Sequence, residues 1–154
     1  MDIRIKKYIQ YKIKTLNERK RELYKLKQER ETLRQEIIDE SPAPQDGQPK
    51  GKGGSSSPVE TKVIKLEKID KRIGILDGEL KKFQEIEDKI KILGREPYLI
   101  YKLGIVEDAN QEYAAMEVGM AIAPYYRAKA KLLEYIAEEL GEYLNLDEES
   151  KATY

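Results

Sequence analysis

Residues 111–140 read QEYAAMEVGMAIAPYYRAKAKLLEYIAEEL, and the spacing within them decides how the rest of the chain is read. Taken as a twenty-residue frame from Gln111, the stretch matches a helix-turn-helix. Ala115 falls fifth, where a small side chain lets two helices approach. Gly119 falls ninth, where a tight turn wants positive φ. Ala114, Val118 and Met120 supply apolar inward places, and Tyr125 and Ala128 face inward on the second helix. Its outward places carry Tyr126, Arg127, Lys129 and Lys131, with no acidic residue between Ala121 and Leu133. On a helix lying in a major groove, such side chains reach phosphates and base edges. Pro124 is tolerated because the first helical turn has no intrahelical use for its missing N–H. Ala121 stands where a Ser or Thr cap is common, so the helix start is weak by about 1 kcal/mol. Gly141 is the expected end.

Upstream, Pro97–Val106 is densely apolar and predicts a short core helix, followed by a polar turn over Glu107–Asn110. Two longer helices are expected before it. In residues 3–38, Ile9, Leu16, Leu23 and Ile37 recur at heptad spacing, with Leu26 and Leu33 as the companion row and Ile5 and Ile13 extending the stripe. No Gly or Pro interrupts Met1–Glu40, so one continuous helix is predicted, with Arg19 and Arg30 breaking its seam. Lys12, Lys14, Lys20 and Arg21 read as its solvated face. In residues 58–93 the stripe is Leu66, Ile69, Ile73, Leu76, Leu80, Phe83 and Ile90, with Glu87 the seam position that fails. Ser57, Pro58 and Glu60 supply a cap, a first helical residue and a capping-box carboxylate. Residues 41–57, rich in Pro, Gly and Ser, form a linker long enough for the two helices to pair antiparallel. A parallel homodimer through either seam is the competing arrangement.

The expected architecture is therefore all-α, a coiled-coil-like helical hairpin followed by a helix-turn-helix. Its parts are residues 1–40, 41–57, 58–93, 95–145 and an acidic tail over 146–154. Composition narrows the function classes. The 154 residues contain no Cys, His or Trp, one Phe and 11 Tyr. Disulfides, thiolate nucleophiles, the usual zinc sites and imidazole acid–base chemistry are thereby excluded. No enzyme, cofactor or small-molecule substrate is expected. Nor is a membrane partner, since no stretch approaches the roughly 20 apolar residues of a membrane span. The cytoplasm is the expected location. Charge sums to zero but is uneven, with 12 Lys and Arg against 8 Asp and Glu in residues 1–40, and 7 acidic residues against Lys151 in residues 132–154.

The order of parts resembles the ArpU/RinA group, small phage and prophage regulators of Gram-positive bacteria linked to late packaging and lysis genes. The residues carrying the resemblance are Gly53–Gly54, Ser57–Glu60, Tyr125-Tyr126-Arg127, Lys129, Lys131 and Leu132–Leu133. It implies a C-terminal module similar to region 4 of sigma-70 factors, promoter DNA as partner, and contact with RNA polymerase. Ala121 and Pro124 depart from the family pattern. A coiled-coil adaptor or structural phage protein binding a protein partner is the alternative.

Overall fold

The computed structural model describes residues 2–40 and 58–141, and every regular element in them is helical. The linker over 41–57 with its Ser57 cap, and the acidic tail over 146–154, lie outside the described residues. The elements are α1 (Ile3–Lys14), α2 (Leu16–Glu40), α3 (Pro58–Leu93), α4 (Arg95–Leu99), a π-helix (Ile100–Val106), α5 (Gln111–Val118) and α6 (Ile122–Leu140). They divide into two compact units, one of Met1–Arg19 with Glu79–Tyr154, the other of Lys20–Gly78.

In the first unit α1 packs on the π-helix and α6, and α5 packs on the same two elements. The core joins Ile9 and Ile13 of α1, Phe83, Ile86 and Ile90 of α3, Ile100 and Ile105 of the π-helix, and Tyr125, Leu133 and Ile136 of α6. Each such side chain contributes about 1.5–3 kcal/mol on leaving water. Ile86 is the surprise. The heptad reading steps from Phe83 to Glu87, whereas the structure buries Ile86 and leaves Glu87 at the flank, its carboxylate 2.7 Å from Lys102 Nζ. An α-helix has 3.6 residues per turn, so a strict 3.5-residue stripe drifts about 20° per heptad and the buried face moves across one position.

The predicted single helix over residues 3–38 is divided at Thr15, which has φ −101° and ψ 16°. The cause is local hydrogen bonding. The Thr15 hydroxyl donates to the Tyr11 carbonyl at 2.7 Å, and Arg19 donates to Thr15 Oγ1 at 2.8 Å and to the Lys12 carbonyl. Thr is prone to such bonds with its own backbone, and here they take up carbonyls at the end of α1. Arg19 is only 8% exposed, and its Nε lies 2.9 Å from Glu79 Oε1, which Lys12 Nζ also approaches at 3.2 Å.

In the second unit α2 and α3 run antiparallel. Glu22 meets Arg72, Glu29 meets Lys65, and Lys62 bridges Glu36 and Glu40. Leu33, Ile69 and Ile73 are buried between these charges, with Leu23, Leu26 and Leu66 packed against them. Arg30, a seam position, stays partly exposed and faces Asp70 at 3.6 Å. Exposed pairs of this kind add at most about 1 kcal/mol each, so the apolar row carries the pairing.

Candidate nucleic-acid interface

Asn110 sets the start of α5. Its side-chain oxygen accepts the amides of Glu112 at 2.9 Å and Tyr113 at 3.3 Å, satisfying donors that the first turn leaves free. The helix ends at Gly119, φ 84°, with the Gly119 amide donating to Met116 O at 3.0 Å and the Met120 amide to Ala115 O at 2.9 Å. That pair of bonds is a Schellman closure, which needs the left-handed residue glycine supplies without strain. Ala114 and Ala115 are buried where α5 meets its neighbours. Three residues, Gly119 to Ala121, separate α5 from α6. Ala121 caps α6 with extended backbone and no side-chain hydrogen bond, and Pro124 is the third helical residue.

On α6 the residues singled out from sequence separate onto two faces. Tyr125 is fully buried, its ring edge-on to Tyr126 at 6.1 Å, while Tyr126 remains 49% exposed. Arg127 and Lys131, four residues apart, are exposed on one side of the helix. Lys129 departs from the expected outward face. It is 6% exposed, one turn after Tyr125, and its stem packs against Gly104. Four residues from an inward Tyr is an inward position, and the alternating Arg127, Lys129, Lys131 pattern crosses the helix instead of following one side.

No family model, curated protein or solved structure matches this chain.

The exposed basic set is accordingly Arg127 and Lys131, flanked by large apolar groups that sequence reading did not single out. Ile122 is 43% exposed on α6, and Tyr113 and Met116 are exposed on α5. The available signal was that Tyr113 and Met116 fall off the inward places of the frame. Glu112 and Glu117 are also exposed on α5, so of these two helices only α6 presents positive charge. Among the described residues no group of three or more His, Cys, Asp or Glu could hold a metal ion, and no helix is long and apolar enough to cross a membrane.

Burial, with a smaller contribution from Lys6, holds the Lys129 amine below the ordinary lysine value of 10.5, and Asp108 partly opposes this. Asp108 itself is engaged by Lys14 at 3.0 Å. A lysine whose folded pKa is lowered destabilises the fold wherever its charged form prevails. That cost is complete below the folded pKa and disappears as pH rises past the unfolded value near 10.5. Lys129→Met should therefore raise stability by about 1 kcal/mol at neutral pH. The charge-dependent part of the gain should fall away as pH rises from the lowered folded value past the unfolded value near 10.5. Paired thermal melts of the two proteins at neutral and alkaline pH check this, and a gain independent of pH would remove the electrostatic cause.

Proposed function

We propose that the chain is a sequence-specific DNA-binding transcriptional regulator, of the ArpU/RinA kind that acts on phage late packaging and lysis genes. In this reading α5, the Gly119 turn and α6 act as a helix-turn-helix similar to region 4 of sigma-70 factors. Promoter DNA is the ligand, RNA polymerase is a second partner, and homodimerisation raises the affinity of a weakly basic reader. The observation that carries the reading is the exposed Tyr126, Arg127 and Lys131 on a helix that follows a Schellman turn and has no acid between Ala121 and Leu133. Arg127 contacts a base edge or phosphate and Lys131 a phosphate. Lys129, being buried, supports the helix from behind.

The test is a gel shift of the full chain on duplexes that it selects from a randomised library. Arg127→Ala with Lys131→Ala should lower affinity by about tenfold or more and flatten the log–log salt dependence by about 0.9 if Arg127 sits on a base edge, or about 1.8 if it sits on a phosphate, near 0.9 for each phosphate no longer neutralised. Lys129→Met should leave that slope unaltered. A double variant with undiminished binding would sink the assignment of α6.

A second reading, a helical adaptor that binds a protein partner, draws support from Tyr24, Ile38, Ile64 and Ile75, exposed apolar residues of the second unit. It expects no DNA retention, and self-association that Ile64→Ser with Ile75→Ser abolishes in sedimentation.

A further inference from the structure

The outward side of the first turns of α6 is unusual for a surface. Ile122 and Tyr126, four residues apart and hence on one side of the helix, are 43% and 49% exposed, and the small Ala123 beside Ile122 is exposed as well. Arg127 continues this side, and Lys131 lies one turn further. Neither Ile122 nor Ala123 offers a side-chain hydrogen bond, so neither can read the polar edge of a base. Left facing water, they forgo the burial that apolar groups favour.

The major groove presents one apolar feature, the C5 methyl group of thymine, and apolar side chains are its partners. We propose that Ile122, Ala123 and the Tyr126 ring read thymine methyl groups in the major groove, with Arg127 fixing the register on an adjacent guanine or phosphate. This rests on the DNA-binding reading above and adds the class of sequence that the site prefers. Charge favours DNA over a protein as occupant. The apolar side chains are followed by Arg127 and Lys131 within a segment free of acid, which matches a groove walled by phosphates. The side chain of Ala123 is too short to hold the helix off the bases.

The first arm of the test alters only the DNA. The full chain is used to select duplexes from a randomised library, and the enriched duplex is then remade with uracil in place of thymine, which removes only the methyl groups. Enriched sites should contain thymine within the contacted half-site, and affinity should fall about fourfold for each contacted methyl removed, the worth of one buried methylene. Ile122→Ala should bind the thymine duplex more weakly while losing less than wild type on the change to uracil. Helicity of this variant, altered at an exposed position, is checked by circular dichroism. Affinities for thymine and uracil duplexes within twofold of each other would overturn the inference and leave DNA binding standing. Absence of any enriched sequence would overturn both.

Discussion

Glu79→Ala is expected to cost about 3 kcal/mol, visible as a lowered urea midpoint followed by circular dichroism. Arg19 is almost fully buried and has its Nε 2.9 Å from Glu79 Oε1, with Lys12 on the same oxygen at 3.2 Å. Removing the carboxylate leaves a guanidinium charge in a poorly solvated position. The bonds from Arg19 to Thr15 Oγ1 and the Lys12 carbonyl survive, which keeps the loss at the lower end of the range for a broken buried pair. Replacing both partners gives the contrasting result. Arg19→Met with Glu79→Leu removes the desolvation cost together with the attraction, and should recover most of the stability. A single variant as stable as wild type would show that the pair is solvated in solution.

Gly104→Ala is expected to lose about 2–3 kcal/mol, toward the upper end for overpacking a core. A Cβ at Gly104 would collide with the Tyr125 hydroxyl oxygen and stand 3.5 Å from Lys129 Cδ. The tyrosine has no room to retreat, because its ring is fully buried between α6 and its neighbours. Tyr125→Phe removes the colliding atom. It also removes a buried hydroxyl with no hydrogen-bonding partner among the described residues, so alone it should be neutral or stabilising. Burial raises the phenol's pKa, so the group stays protonated at neutral pH. Gly104→Ala with Tyr125→Phe should therefore be more stable than the two single changes predict together. Simple additivity in a double-mutant cycle would refute the steric cause.

Much of the helical outline was legible because it follows from local chemistry. Gly119 and Asn110 act within a few residues of themselves, and a positive φ or a side-chain cap is written into the residue type. Pro124 likewise falls in the first turn of α6, as its missing N–H requires. Three features were not legible, each because it depends on partners distant in sequence or on geometry that periodicity ignores. The break at Thr15 is reinforced by Arg19, whose own placement depends on Glu79 some sixty residues later. The exchange of Glu87 for Ile86 reflects helix drift against a real neighbour. The apolar run at Pro97–Val106 has the periodicity of an ordinary core helix, but it spans α4 and a π-helix, which gives Gly104 its contact with Tyr125. On α6 the frame from Gln111 places Tyr126, Arg127 and Lys131 outward, and all three are exposed. Lys129 lies inward despite its place in a basic run, because it follows the buried Tyr125 by one turn.

The unit that carries α5 and α6 is discontinuous in the chain, since Met1–Arg19 joins Glu79–Tyr154 across the whole of Lys20–Gly78. During synthesis α1 leaves the ribosome before α6, so Ile9 and Ile13 have no finished core to enter until α6 has been made. Antiparallel pairing of α2 with α3 shortens the Lys20–Gly78 interval, so assembly of this core waits on the second unit. A fragment beginning after residue 19 would lack two fully buried isoleucines and expose the surfaces they cover. Expression of residues 20–154 alone should accordingly yield an aggregation-prone product, and supplying residues 1–19 in trans should restore solubility.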